Sequence, residues 1–125
     1  MAYDFRAIES TISGTIHAPR SKYYLHHRVL CETNLAVMQE FQLDIVQAIS
    51  DPYREAADTG LEVEFPIDNL PLNKKPLIKQ PELLNNVHFP VQDFGPRMTD
   101  RQEGICLMGE RLGHDVPVMD LGRRL

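Results

Sequence analysis

The chain has 125 residues, of which 42% are hydrophobic and 25% charged, so it has the size and balance of one globular domain and is not expected to be disordered. Its 13 basic and 18 acidic residues give a net charge of −5. Because phosphate binding requires a basic face and the basic residues are dispersed, nucleic acid is not expected as a partner.

The start of the chain predicts no targeting signal. Residues 1–6 (MAYDFR) lack the basic and apolar regions of a signal peptide. No apolar run approaches the roughly 20 residues needed to cross a bilayer, so no membrane partner is expected. The two cysteines, Cys31 and Cys106, are far apart and are expected to be free thiols within helices. We therefore expect a cytoplasmic protein.

The segment 4–17 has two interpretations. Phe5, Ile8 and Ile12 recur at the spacing of one helical face, and Gly14 is placed to end such a helix. Residues 11–16 also alternate around a Ser-Gly pair, as a short hairpin would. The helix is slightly favoured, and the hairpin stays open as the alternative.

Residues 21–50 contain neither glycine nor proline, and they predict one long central helix that begins after the N-cap Ser21. Its apolar residues form a broad stripe on one face at about 100° per residue. A second, narrower stripe lies behind it and consists of Leu25, Val29, Ala36 and Leu43. A helix that is apolar on two sides is normally covered on both. The second cover is either another subunit, which makes this stripe a predicted interface, or a terminal segment of the same chain.

Two shorter elements are expected next. Asp51 and Pro52 are typical of a helix start and Gly60 of a helix end, so a short helix is predicted over residues 52–58. Residues 61–65 (LEVEF) alternate between apolar and acidic side chains, which predicts a half-buried strand. The two glutamates on its outer face are expected to be solvated rather than catalytic.

A proline-rich arm is predicted over residues 66–96. Prolines recur every five residues from Pro66 to Pro81, which excludes helix interiors and central strands and favours extended backbone. Aliphatic residues are distributed through the segment, so it needs a surface to lie on, either the protein's own helix or a neighbouring molecule. These predicted contact residues are Ile67, Leu70, Leu72, Leu77 and Ile78.

The C-terminal part of the chain predicts a helix and a short strand. Residues 99–102 (TDRQ) form a capping-box pattern, and Gly113 is placed to end the helix. Gly104 and Gly109 inside it each lower the stability of the helix by about 1 kcal/mol relative to alanine, and they are tolerable where another backbone packs closely. Residues 116–119 (VPVM) then predict an edge strand or arm.

His27 is the strongest candidate for a chemical role, although a hydrogen-bonded histidine of a core or an interface is the commoner situation. Cys31 follows it by one helical turn and Asn34 by about two, and a His and a Cys at i and i+4 can share a metal ion. The remaining ligands would have to come from the other histidines, which have no metal-binding spacing. We therefore expect no metal and no cofactor.

Motifs of catalysis are missing from the sequence. It contains no CxxC or HExxH metal motif, no Gly-x-Ser-x-Gly nucleophile turn and no glycine-rich phosphate loop. Enzyme activity is therefore not the expected function.

The expected architecture is a single domain, residues 1–125, of mainly α class with minor β. It has one long central helix, shorter flanking helices, an extended proline-rich arm and one or two short strands. The second stripe and the aliphatic arm favour a structural or assembly protein that acts through protein–protein contacts, as a homo-oligomer or as a subunit of a larger complex. One alternative is a small regulatory or inhibitory protein that binds one larger partner. Another is a small histidine-dependent enzyme or ligand-binding subunit.

Overall fold

The computed structural model describes residues 19–87 and 93–120, which form four α-helices, one 3₁₀ helix and two short strands. This confirms the predicted class, mainly α with minor β. No helix in these two ranges is both long and apolar enough to cross a membrane. The predicted helix or hairpin at residues 4–17 lies outside the described residues.

The run that predicts one long helix forms two helices and a strand instead. α1 is Arg20–Leu25 and α2 is His27–Phe41. His26 between them has an extended backbone (φ −131°, ψ 115°), and Gln42 ends α2 in the left-handed region (φ 50°). The prediction of an unbroken helix over residues 21–50 was therefore wrong in extent. A run without glycine or proline permits a helix but does not determine where it breaks.

A small parallel sheet joins the end of this run to the C-terminal part of the chain. β1 (Val46–Gln47) pairs with β2 (Val118–Met119). The amide of Ala48 extends the pairing by donating a hydrogen bond to the carbonyl of Met119 at 2.9 Å. The strand predicted within residues 116–119 is confirmed, whereas β1 occupies a position where the sequence predicted helix.

A short helix follows, as predicted. α3 is Arg54–Asp58, which agrees with the predicted range 52–58 to within two residues. Asp51 precedes it, and its Oδ1 accepts the backbone N–H of Tyr53 at 3.0 Å. Gly60 ends the helical region with φ at 109°, a conformation in which any side chain would be strained.

The proline-rich segment is irregular from residue 66 to 80 and then forms a 3₁₀ helix, Pro81–Asn86. It is not extended throughout, because the chain turns back between Glu64 and Leu72. These two residues form an antiparallel bridge with backbone hydrogen bonds of 2.8 and 3.1 Å. Within residues 61–65 the predicted strand is reduced to this bridge. The prolines that follow lack the N–H groups that a longer ladder would need.

The last helix begins earlier than predicted. α4 is Pro96–Leu112, and its N-terminal amides are capped from α3. The two carboxylate oxygens of Asp58 accept the N–H groups of the second and third helical residues at 3.0 and 2.8 Å. Gly95 permits this approach, because a Cβ there would lie 2.3 Å from Asp58 Cγ. The prediction of a capping box at residues 99–102 was therefore wrong, since Asp58, from another part of the chain, caps the helix.

The apolar core lies between α2, α4 and the sheet. A Cβ at Gly104 would lie 3.4 Å from the Cβ of His27, so this glycine lets α2 and α4 pack closely. Gly109 has open space around it among the described residues, and close packing does not explain it. The buried apolar residues that form this core are Leu30, Cys31, Val46, Ala48 and Met108.

Candidate functional site

Arg54 is the largest fully buried side chain in the described part of the chain. It begins α3, and its guanidinium donates four hydrogen bonds. Nε donates to Ser50 Oγ at 3.0 Å, and Nη2 donates to the carbonyl of Tyr24 at 3.1 Å. Nη1 donates to the carbonyl of Arg97 at 2.8 Å and to Asp100 Oδ2 at 2.9 Å. Since a guanidinium has five N–H groups, nearly all of its donors are used inside the protein.

Two carboxylates balance the buried charge of Arg54. Burial lowers the pKa of this guanidinium, and the hydrogen bond with Asp100 opposes that effect. The group stays charged near neutral pH, because an arginine guanidinium is not deprotonated in proteins. The second carboxylate belongs to Asp51, whose Oδ2 lies 3.8 Å from Nε. A buried charge is tolerated only with such partners, because an unpaired one would cost several kcal/mol.

Arg97 repeats this arrangement from the first turn of α4. Its Nη2 donates to Asp51 Oδ2 at 2.6 Å, and its Nη1 donates to the same Tyr24 carbonyl that accepts from Arg54. Its guanidinium lies over the ring of Phe65, 4.8 Å from the centroid. Tyr24 is near the C-terminal end of α1, where carbonyl groups lack helical partners and cations are favoured. The two arginines therefore hold the end of α1 against α3 and α4.

Asp100 connects this network to the start of α2. Its Oδ1 accepts the backbone N–H of His27 at 2.8 Å and lies 3.0 Å from His27 Nδ1. Glu103 Oε2 lies 3.1 Å from the same ring nitrogen. The backbone bond satisfies one free amide at the N-terminus of α2, where a carboxylate is also favoured by the helix dipole. This contact gives a physical reason for a new helix to begin at His27.

Arg101 extends the network along α4 toward β2. It is almost fully buried, and its Nη1 donates to Glu55 Oε1 at 2.7 Å. Its Nε lies 3.7 Å from Asp120 Oδ1, and both atoms are buried without a hydrogen-bond partner among the described residues. Attraction between the two charges is therefore the main compensation for burying them.

The network is suited to joining helices rather than to binding a ligand at its centre. Arg54 has almost no donor left for a substrate. Two surface depressions lie elsewhere, one of about 160 Å³ beside residues 62–64 and one of about 340 Å³ between α2 and α4. Arg54, Asp51 and Asp100 line neither of them. We therefore assign the buried arginines a structural role.

The predicted polar candidates His27, Cys31 and Asn34 lie in three different environments. The ring of His27 faces the two carboxylates of α4, whereas Cys31 is buried in the apolar core. Asn34 accepts a hydrogen bond from Tyr23 Oη at 3.1 Å and donates one to the carbonyl of Gln47 at 2.6 Å. Burial raises the pKa of the Cys31 thiol, which keeps it protonated and a poor nucleophile or metal ligand. The three residues do not form one site.

The predicted second stripe is divided by the break in the helix. Leu25 ends α1 and is exposed, while Val29 and Ala36 lie on α2 and are half-buried. Leu43 follows the end of α2 and is half-buried too. Its backbone N–H donates to the carbonyl of Met38 at 2.9 Å. The four residues therefore belong to different elements, and their role as an interface stays a prediction.

The aliphatic residues of the proline-rich segment differ in exposure. Ile67 and Leu70 are strongly exposed, at 69% and 58%, and Ile78 is exposed at 39%. Leu72 and Leu77 are half-buried. A Cβ at Gly60 would lie 3.8 Å from Leu77 Cδ1, so Leu77 packs toward the end of α3. The segment therefore lies partly on the protein's own body, with its first two aliphatic residues left facing outward.

Sequence reasoning did not find the buried arginines or the carboxylates of α4. His27 and Asp100 are 73 residues apart, and no local spacing links them. The one signal was Asp51, which the helix-start pattern with Pro52 marked as a capping residue.

No protein-family model matches this chain, and no curated protein matches it either.

Proposed function

We propose that the protein acts by binding protein, as a self-associating assembly protein, through the aliphatic side chains that its proline-rich segment exposes. The observation that carries this proposal is the exposure of Ile67 and Leu70 on backbone that is fixed to the helical body. The N–H of Ser21 donates to the carbonyl of Ile67 at 3.3 Å, and Arg20 Nη1 donates to the carbonyl of Asp68 at 3.3 Å. Backbone that is already ordered loses less entropy when a partner binds.

Exposed aliphatic residues are concentrated in this part of the molecule. Single apolar residues on a surface are common and need no explanation. Here, however, five of the nine exposed large apolar residues in the described ranges fall within residues 66–87. Their side chains would lose contact with water if a second protein covered them, which is the main favourable term in association. These five residues are Ile67, Leu70, Ile78, Leu83 and Leu84.

A regulatory protein that binds one larger partner is the second candidate, and a groove between α2 and α4 favours it. The groove has a volume of about 340 Å³, and its lining includes four apolar residues, Leu35, Ala36 of the predicted second stripe, Met38 and Leu112. Glu32 and Arg111 lie among its lining residues and offer one charge of each sign. A groove that offers both apolar side chains and charges of both signs suits a helix or peptide of another protein.

Light scattering coupled to size-exclusion chromatography tests self-association over a range of protein concentrations. We expect the wild-type mass to exceed that of one 14.3 kDa chain as concentration rises. An Ile67→Glu/Leu70→Glu variant should stay closer to one chain at each concentration. Gln47→Glu/Gln102→Glu is the matched control, because it adds the same charge at two exposed polar positions outside the proline-rich segment and should associate like the wild type.

Two results would contradict the proposal. A wild-type protein that remains a single chain at every accessible concentration excludes self-association and leaves the regulatory candidate. A wild-type oligomer that the Ile67→Glu/Leu70→Glu variant forms equally well places the interface elsewhere in the chain. Leu25→Glu and Leu43→Glu then test the predicted second stripe by the same measurement.

A further inference from the structure

Three metal-ligating atoms meet where the start of α2 lies against α4. His27 Nδ1 lies 3.0 Å from Asp100 Oδ1 and 3.1 Å from Glu103 Oε2. One ligand atom of each residue lies within 4.8 Å of the other two. Asp100 and Glu103 are three residues apart in α4, so their side chains leave the same face of the helix. The cluster joins two elements that are distant in sequence.

Two members of the cluster are held in place by contacts outside it. Asp100 uses its Oδ2 to accept from Arg54, and its Oδ1 also accepts the backbone N–H of His27. Close packing at Gly104 fixes the Cβ of His27 against α4. Contacts of this kind orient the ligands in metal sites of known proteins. Glu103 is 57% exposed and is free to adjust its position.

We propose that His27, Asp100 and Glu103 bind a divalent first-row transition metal ion. Zinc bonds to nitrogen and oxygen are about 2.0–2.2 Å, so two ligands of a tetrahedral ion lie roughly 3.3 Å apart. The nitrogen-to-oxygen separations of 3.0 and 3.1 Å are close to that value. One imidazole and two carboxylates are hard and borderline donors, which suit zinc or manganese better than copper(I).

Without an ion, His27 Nδ1 can donate a straight hydrogen bond to only one of the two carboxylates. Nδ1 carries at most one proton, and a single N–H cannot point straight at two oxygens on different residues. A metal ion between the three atoms replaces that shared proton with three bonds, and two carboxylates offset its charge. Because Glu103 faces solvent, water would complete the coordination. The ion would fix the start of α2 to α4, and this role is independent of the proposed protein binding.

Calorimetric titration of the full-length, chelator-treated protein with zinc tests the site. We expect binding of one ion per chain, and a melting temperature that rises with zinc concentration because only the folded state presents the site. Glu103→Gln should weaken zinc binding by about tenfold or more and remove the rise in melting temperature. It should not disturb folding, since Glu103 is exposed. Glu110→Gln is the matched control, with the same change at an exposed position of α4.

Nuclear magnetic resonance of the histidine rings identifies the ligand atom. At a zinc concentration that just saturates the wild type, we expect a full shift of the His27 Nδ1 resonance in the wild type and in Glu110→Gln and a much smaller one in Glu103→Gln. The proposal is overturned if no ion binds at 1:1 stoichiometry, or if Glu103→Gln binds zinc as tightly as the wild type. It is also overturned if zinc shifts other histidines, such as His114, and leaves His27 unchanged.

Discussion

Two regions place charged and apolar side chains in opposite ways. One is the network around Arg54 at the centre of the molecule, and the other is the proline-rich segment. In the centre a charged side chain, Arg54, is completely buried and is surrounded by carboxylates and carbonyl groups. In the proline-rich segment Ile67 and Leu70 are aliphatic and mostly exposed. A folded chain normally places these residue types the other way round. The centre compensates its charge with internal partners, whereas the segment has aliphatic side chains that the described residues do not cover.

This contrast distinguishes the residues that hold the fold together, the buried arginines and their partners, from the exposed aliphatic residues that are available to a partner. The apolar core is small, and the arginines add directional contacts between α1, α3 and α4 that apolar packing alone would not specify. Buried ion pairs contribute little net stability when intact, but removing one partner is costly because the other stays buried. For substitutions of the exposed aliphatic residues we expect the opposite, namely a small effect on folding and a large effect on association.

Removing the charge at the centre should have the largest effect on stability. Arg54→Met leaves Asp100 Oδ2 without its buried cationic donor and removes one of the two arginines that donate to the Tyr24 carbonyl, so we expect a loss of about 3–5 kcal/mol in the free energy of unfolding. Arg54→Lys keeps the charge but not the planar fork and should lose less. Denaturant titration measures both.

Arg28→Met controls for the loss of an arginine, because Arg28 is exposed on α2. It should change the free energy of unfolding by no more than about 0.5 kcal/mol. If Arg54→Met were as stable as Arg28→Met, the buried network would not be what holds α1, α3 and α4 together.

High pH should weaken the fold through Tyr23, which packs beside the centre. Burial raises the pKa of Tyr23 from its ordinary value of 10.0 to about 12. The folded state therefore holds the phenolic proton more tightly than the unfolded state does. The stabilisation is complete below pH 10 and is lost as pH rises toward 12, by about 2 kcal/mol.

Unfolding titrations at intervals from pH 9 to pH 12 measure this effect. Other groups also titrate in this range, so the decisive quantity is the difference in the free energy of unfolding between the wild type and Tyr23→Phe. The free energy of unfolding of Tyr23→Phe should decline less steeply with pH. Tyr53→Phe is the control and should follow the wild type. Parallel curves for all three proteins would show that Tyr23 is not buried as described.

The cap of α4 should have an intermediate effect. Asp58→Ala removes the acceptor for two amides at the start of the helix and should cost about 1–2 kcal/mol. Thr99→Ala should cost no more than about 0.5 kcal/mol, because Thr99 lies inside α4 rather than at its start. A larger loss for Thr99→Ala than for Asp58→Ala would restore the capping box that the sequence predicted.

The smallest effect on stability is expected in the proline-rich segment. Ile67→Glu/Leu70→Glu should change the free energy of unfolding by no more than about 0.5 kcal/mol, measured at protein concentrations low enough to keep the chains separate. A loss of several kcal/mol would show that these side chains belong to the protein's own core and would remove the contrast with Arg54.

Local patterns predicted the elements whose signals are themselves local. The short helix before Gly60, the end of α4 at Gly113 and the strand within residues 116–119 all depend on residues that are adjacent in sequence. The missing N–H groups of proline also explain why residues 66–80 form no α-helix or longer strand, although the chain turns back where the sequence predicted extended backbone.

Long-range contacts determined the rest. α2 begins at His27 because Asp100, 73 residues away, accepts its amide, and α4 begins at Pro96 because Asp58 caps it. The candidate metal site depends on the same approach of α2 to α4. No periodicity within either helix contains this information, since each partner is an ordinary polar residue in its own neighbourhood. Gly104 was a local hint of the close approach of α2 to α4, because its cost inside a helix suggested a closely packed neighbour.

Hydrogen exchange at low and high protein concentration tests the separation between the centre and the proline-rich segment most directly. We expect the amides of residues 67–72 to exchange more slowly at high concentration, because association covers that surface. The amides of α2 and α4 should exchange at the same rate at both concentrations. Protection that is independent of concentration in residues 67–72, or that rises only in α2 and α4, would contradict the account.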